Sequence, residues 1–298
     1  MKVTFWGTRG SLPSPRPGTI RYGGNTSCVS VQLSEGSTVV LDAGTGIHRL
    51  GGFGPGTSRV DVLLSHLHMD HIIGLGFFGA LFQPGLEVHL WGPPSAMLNL
   101  HSRLSRYLSP PLFPVRLRDL PCRLVLHDAP RGTFDLPGAT VTADLVCHPG
   151  PTVGYRIEAD GATLAYIPDH EPALADDAFP GRPEWLSGFP LMAGADLLIH
   201  DAQYTDDEYA GRVGWGHSTI SQAMRLAEAA EVATLAAFHH DPGHNDGQLD
   251  RLFAAAAAER DWSFELAPAC EGATVSLGRQ AAGAGAAGAG AGGAGGRP

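Results

Sequence analysis

Three imidazoles and one carboxylate fall within six positions in the stretch Ser65-His66-Leu67-His68-Met69-Asp70-His71. In an extended segment, residues two apart project to the same side, so His66 and His68 are placed to grip one ion. Asp70 and His71 follow where the chain turns and are placed to face a second ion beside the first. Nitrogen and oxygen donors without a thiolate suit Zn²⁺, with Mn²⁺ as the harder alternative. A surface cluster of histidines would need no further ligands. Here ligand-type residues recur downstream, at the ends of predicted strands.

The elements that must position these residues are legible from periodicity. The apolar run 60–64 predicts a buried strand leading into the histidines, and 72–78 a Gly-rich turn that opens a helix. Residues 3–6, 28–33, 38–41 and 87–91 also predict strands, the third ending at Asp42-Ala43-Gly44. A helix is expected over 96–108, with Leu100, Leu104, Tyr107 and Leu108 on one face, broken by Ser109-Pro110-Pro111. Residues 140–146 predict a strand that ends at Cys147-His148-Pro149. Residues 155–157 and 163–167 predict a hairpin around Asp160-Gly161, whose second strand ends at Pro168-Asp169-His170. A strand at 195–199 ends at His200-Asp201, and one at 234–238 ends at His239-His240. Between them a helix is expected over 219–230, started by the capping box Thr219/Gln222 right beside His217. Its N-terminus suits a phosphate oxygen. A further helix at 248–259 and edge strands at 263–266 and 273–277 complete the pattern. Strands alternating with helices in this way fit two sheets with helices outside.

His66-x-His68-x-Asp70-His71 after an apolar strand resembles the signature of the metallo-β-lactamase fold superfamily, and the resemblance covers nearly the whole chain. It implies an α/β fold, a four-layer αββα sandwich of two mixed sheets packed face to face. One hydrolase domain is expected over 1–278, with 94–121 as a flap over the site. In the resemblance Asp42 props the histidine loop from behind, although an Asp capping a turn beside glycines would read the same way. His148 becomes the third ligand of the first metal and Asp169 the carboxylate bridging both. Ile199-His200-Asp201-Ala202 followed by Gly216-His217-Ser218-Thr219 resembles the ribonuclease Z branch of the superfamily. There an acidic residue at the Asp201 position orients a histidine at the His217 position, which acts on the leaving group. That branch tends to carry Glu where Asp201 stands. For the second metal His240 is the better match. His239 is the alternative, because a one-residue slip swaps faces. The implied set is His66, His68 and His148 on one divalent ion, Asp70, His71 and His240 on the other, and Asp169 between. Asp70, His217 and Asp201 would carry catalysis. Two metals about 3.5–4 Å apart can share one hydroxide and clamp an in-line displacement.

Composition narrows the substrate. The formal charge of -10 argues against a nucleic-acid partner. Ribonuclease Z recruits tRNA through a long flexible basic arm, and no Gly/Pro/Lys-rich stretch of that type occurs here. A small phosphodiester such as a cyclic nucleotide is therefore expected. The alternatives are a thioester, lactone or lactam hydrolase on the same scaffold, a tRNA 3′-processing ribonuclease, or a non-catalytic sensor that binds metal and nucleotide. Cys28, Cys122, Cys147 and Cys270 are scattered without metal-type spacing, which predicts free thiols in a reducing compartment. No signal block and no membrane-spanning run is seen, so a cytoplasmic protein without membrane contact is expected. Relatives in the superfamily are often dimers, which allows a homodimer, but no interface stripe is legible in the sequence. The stretch 279–298 is nearly all Gly and Ala and is expected to be a disordered tail.

Overall fold

The computed structural model describes residues 1–172 and 182–278; the expected tail at 279–298 lies outside the described residues. Fourteen strands are present among them. They are β1 (Lys2–Gly7), β2 (Cys28–Gln32), β3 (Thr38–Leu41), β4 (Arg59–Leu63), β5 (Glu87–Gly92), β6 (Arg123–Asp128) and β7 (Gly132–Leu136). The second half adds β8 (Ala139–Leu145), β9 (Val153–Ala159), β10 (Ala162–Ile167), β11 (Leu197–Asp201), β12 (Thr234–Phe238), β13 (Glu265–Leu266) and β14 (Thr274–Ser276). The α-helices are α1 (Met69–Ile72), α2 (Leu100–Leu104), α3 (Phe189–Met192), α4 (Asp206–Tyr209), α5 (Ile220–Ala229) and α6 (Asp246–Ala258).

Two seven-stranded mixed sheets result, in the orders β14-β1-β2-β3-β4-β5-β6 and β13-β12-β11-β10-β9-β8-β7. Both have the same plan when followed from β14 and from β7, three antiparallel pairings and then three parallel ones. Alternating side chains explain the packing. Val3, Phe5, Leu41 and Leu63 of the first sheet meet Tyr155, Tyr166, Ile199 and Phe238 of the second in a buried inner layer. The intervening residues face outward. Val40, Val62 and Val88 pack under Ile72, Leu75, Leu100 and Leu104. Leu198 and Leu235 pack under Ile220, Ala223, Met224 and Ala227 of α5. The molecule is thus the αββα sandwich of the metallo-β-lactamase fold.

Register gathers the chemistry at one edge. β3 and β4 pair in parallel with Leu41 opposite Leu63, so Asp42 and Ser65 leave their strands side by side. β10, β11 and β12 pair in parallel with Ile167 opposite His200 and Asp201 opposite Phe238, so Asp169, Asp201 and His239 lie at neighbouring carboxyl ends. Asn99 caps α2 by accepting from the Ser102 backbone N–H at 2.8 Å. The helix expected over 96–108 shortens to Leu100–Leu104, and α1 with two 3₁₀ turns replaces the helix expected after the histidines. Pro93, Pro94 and the Ser109-Pro110-Pro111 break confine the first, and Gly74, Gly76 and Gly79 interrupt the second. The segment 94–121 packs Leu100, Leu104, Leu108, Phe113 and Leu117 into the core outside the first sheet. The four cysteines are free. No helix among the described residues is long and apolar enough to cross a membrane.

Candidate metal centre

Asp42 organises the histidine loop. Its backbone is left-handed (φ 57°), which turns its carboxylate back under the loop. It accepts four hydrogen bonds: from the Ser65 N–H at 2.7 Å, and from Ser65 Oγ, His71 Nδ1 and Tyr166 Oη at 2.8 Å each. A carboxylate on Nδ1 fixes the proton there and leaves His71 Nε2 free to face the cleft. Ser65 Oγ also lies 3.0 Å from His66 Nδ1. Two more rings are fixed in the same way. His148 Nδ1 donates to the Gly216 carbonyl at 2.7 Å, and His239 Nδ1 to Gln203 Oε1 at 2.8 Å.

The inward atoms form two main sets, beside which His217 groups with His148 and Asp169 and with Asp201 and His239. One is His66, His68 and His148; the other is Asp70, His71, Asp169 and His239, the ligand atoms of each set lying within 4.8 Å of one another. Asp169 spans them: Oδ1 is 3.0 Å from His71 Nε2 and 3.4 Å from His239 Nε2, and Oδ2 is 3.7 Å from both His66 Nε2 and His148 Nε2. Asp70 Oδ2 lies 3.3 Å from His71 Nε2 and accepts the Ser11 N–H at 2.8 Å. His66 Nε2 and Asp169 Oδ1 are buried without a hydrogen-bond partner. Buried atoms of this kind are normally satisfied, so the pair marks a place for a group that accepts lone pairs. A divalent cation fits that description and the mixed N/O donor set.

Electrostatics agree for the carboxylates and the first set, whereas His71 is raised well above its ordinary value, burial being outweighed by Asp169, Asp70 and Asp42, so it would give up a proton on binding an ion. Burial works against charge on Asp169, yet His239, His71 and His66 hold its carboxyl well below the ordinary range. Asp70 is also held low, burial being outweighed by His71 and His239. Burial pushes His66, His68 and His148 down, so these rings are neutral and their lone pairs available.

His239, not His240, joins the cluster, which corrects the preferred expectation. β12 ends at Phe238, and His239 then takes a left-handed backbone (φ 60°) that swings its ring into the cleft. His240 points the other way. Its N–H donates to the Thr8 carbonyl at 3.0 Å, and Nε2 donates to the Ala269 carbonyl at 2.8 Å. Its ring packs against Tyr22 and Phe253, and burial pushes its pKa down to about 3. The loop before β2 seals the other side. A Cβ on Gly10 would lie 2.3 Å from His239 Nδ1.

His217 lies at the edge of the cluster. Its Nδ1 donates to Asp201 Oδ2 at 2.8 Å and is 3.8 Å from Asp169 Oδ2. The shorter Asp side chain therefore reaches. Burial lowers the His217 pKa, but Asp201 and Asp169 outweigh it and lift it to about 9. Asp201 also accepts the backbone N–H groups of His170 and Gln203, at 3.1 and 3.0 Å. His170 itself turns away from the ligand sets, its ring paired with His200 Nε2 at 3.0 Å and Ser187 Oγ at 2.9 Å. Thr219 and Gln222 cap α5 reciprocally, directly after His217.

A family model described as Beta-lactamase superfamily domain matches residues 37–240. The chain belongs to the β-lactamase superfamily. It is a hydrolase of the metallo-β-lactamase fold. Ribonuclease Z of Myxococcus xanthus is 27% identical over 319 residues, covering 93% of this chain and 98% of that protein. Among solved structures, the metallo-β-lactamase fold protein YhfI from Bacillus subtilis aligns with TM-score 0.65 at 21% identity, covering 92% and 98% of the two chains. Zn²⁺-bound PqqB from Methylobacterium extorquens aligns with TM-score 0.62 at 19% identity, covering 93% and 100%.

In this β-lactamase superfamily chain, three residues that support the cluster carry no signal in hydrophobic periodicity or motif spacing. Gln203 orients His239, and Tyr166 holds Asp42. Glu171, buried two positions after Asp169, accepts from Tyr209 Oη at 2.7 Å and from the N–H groups of Gly214 and Gly216 at 2.8 and 2.7 Å. It thereby shapes the loop that presents His217 and the Gly216 carbonyl. Gly216 has φ 90°, and a Cβ there would lie 2.3 Å from His148 Nδ1. The one cue in sequence is a carboxylate at Glu171, between Pro172 and the ligand Asp169, with no Lys or Arg within ten residues before it.

Proposed function

We propose that the protein is a dinuclear metal-dependent phosphodiesterase acting on a small phosphodiester such as a cyclic nucleotide. The observation that carries this reading is the His217–Asp201 pair, 2.8 Å from Nδ1 to Oδ2, beside the two ligand sets. His66, His68 and His148 would hold one ion and Asp70, His71 and His239 the other, with Asp169 shared. Zinc is favoured by the donor set and by the zinc of the similarly folded PqqB. When bound, two divalent ions supply positive charge for the phosphoryl oxygens and a water that ionises near neutral pH.

This chain's own residues handle the leaving group. Asp201 fixes one proton on His217 Nδ1 and favours the charged ring, so Nε2 carries a second proton. Nε2–H gives that proton to the departing alkoxide, and the neutral ring is reprotonated from solvent. Such help is worth about 10²–10⁴ in rate. A phosphodiester with an alkoxide leaving group needs it; thioester or lactam hydrolysis does not need this second pair.

The likeness to Ribonuclease Z favours a second reading, an RNA substrate. Against it stand the formal charge of -10 and the absence of a long basic insertion in the sequence. One experiment separates the readings. Zinc-reconstituted protein is assayed with bis(p-nitrophenyl) phosphate, 3′,5′-cyclic AMP, a precursor tRNA and an acyl thioester. Hydrolysis of the first two, abolished by His68→Ala, is expected. His217→Ala should cut cyclic AMP turnover by about 10²–10⁴ and the activated ester far less. Thioester turnover indifferent to His217→Ala would replace the phosphodiesterase reading with acyl hydrolysis. Cleavage of precursor tRNA alone would replace the small substrate with RNA. Silence on all four with metal bound would leave a binding protein.

A further inference from the structure

A cavity of about 560 Å³ adjoins the histidine loop on the side of α2. One wall is the loop itself and its continuation, Leu67, Met69, Ile72 and Ile73; the other is Arg103, Arg106, Tyr107 and Leu112. A smaller cavity of about 200 Å³ lies against His66 and His68, and it is bounded by Ser95 and the 149–151 turn. Leu67 and Arg103 line both. The two cavities therefore meet at Arg103, and a substrate held at the first ligand set has its substituent directed along Leu67 into the larger one.

The walls specify what enters. Four aliphatic or thioether side chains from the loop give an apolar floor, and Tyr107 gives an aromatic face. Tyr107 is fixed, since its hydroxyl donates to the Ile73 carbonyl. Arg103 is fixed too. Its Nη2 donates to the Pro93 carbonyl at 2.6 Å and lies 3.4 Å from Asp128, while its Nε is buried with no acceptor. Arg106 is exposed across the opening. Guanidinium planes and a phenol ring stack on flat aromatic groups, which aliphatic chains do not exploit. The volume falls within the roughly 300–1,000 Å³ typical of small-ligand sites.

We propose that this cavity is the specificity pocket of the enzyme and receives a nucleobase-sized aromatic group on the non-reacting ester arm of the phosphodiester. The proposal rests on the phosphodiesterase reading, and its test separates the two. Thymidine 5′-(p-nitrophenyl phosphate), hexyl p-nitrophenyl phosphate and methyl p-nitrophenyl phosphate share a leaving group and differ only in the arm. With zinc-reconstituted protein, kcat/KM is expected to be at least tenfold higher for the thymidine ester than for the other two. Leu112→Glu and Arg106→Ala change exposed positions that the fold tolerates, and each should lower the thymidine-to-methyl ratio at least fivefold. Equal rates on the three esters, or a preference for the hexyl arm, would overturn the aromatic pocket while leaving the phosphodiesterase standing. If no ester is hydrolysed, the phosphodiesterase reading fails, and calorimetric binding of thymidine 5′-monophosphate against methyl phosphate decides the pocket. Tighter thymidine monophosphate binding that Leu112→Glu weakens supports it; equal binding overturns it.

Discussion

Five imidazole nitrogens lie within 3.8 Å of the Asp169 carboxylate, and one of its oxygens has no hydrogen-bond partner. Nothing in the core of the fold requires a carboxylate there, so we propose that it joins the two ligand sets. Asp169→Asn keeps the size and removes the charge. Elemental analysis is expected to find at most one ion per chain in the variant, against two in the parent; full occupancy would show that Asp169 is not shared. The adjacent histidines give a sharper contrast. His239→Gln should lose the second ion, because His239 faces Asp70 at 3.2 Å. His240→Gln should keep both ions and instead lose stability by about 1–3 kcal/mol, since a fully buried, hydrogen-bonded ring is removed. The reverse pattern in metal content would restore His240 as the ligand. Sequence could not decide between them. The choice turns on one left-handed residue at a strand end, and φ at such a position has no signature in a His-His pair.

Strand ends do most of the positioning, and they were readable because parallel strands buried on both faces are continuous apolar runs with a polar stop. Asp42, Asp169 and Asp201 follow such runs, while His148 follows the alternating, antiparallel β8. What lay beyond sequence reading is contact between loops. Glu171 reaches Gly214 and Gly216 across 43 and 45 residues, a side-chain-to-backbone link with no periodicity to betray it. β6 and β7 had no forecast either, since their side chains are nearly all exposed or half-exposed and mixed in polarity. The Glu171 loop makes its own prediction. Glu171→Gln offers an amide where two backbone N–H groups and a phenol need acceptors, so the 214–217 turn should loosen. The Gly216 carbonyl would then no longer fix His148. Metal affinity is expected to fall about 10–100-fold with circular dichroism unchanged. Gly216→Ala should do the same more severely, because its Cβ meets His148 at 2.3 Å and its φ of 90° is strained for alanine. A parental dissociation constant in both variants would free His148 from any dependence on this loop.

The ligand sets draw on both sheets. His66, His68, Asp70 and His71 follow β4 of the first sheet, while His148, Asp169 and His239 follow β8, β10 and β12 of the second. Both sets therefore cross the sandwich, so ions bound there would clasp its halves together as well as serve the proposed chemistry. Without them, Asp70 and Asp169 stay ionised in a buried place, and the orphaned His66 and Asp169 atoms have nothing to pair with. Any ion that binds the folded chain and not the unfolded one raises stability by mass action, by about 4 kcal/mol at a free concentration 1,000 times its dissociation constant. For a domain of this size each kcal/mol moves the midpoint by about 2–4 °C, so one such ion corresponds to roughly 8–16 °C. Thermal unfolding with and without a chelator should show that difference, restored by adding zinc. His68→Ala should shrink it, because the set that retains Asp70, His71, Asp169 and His239 would then act alone. An unchanged midpoint after verified metal removal would mean that the two sheets hold the site by packing alone, with the ions contributing chemistry and no stability.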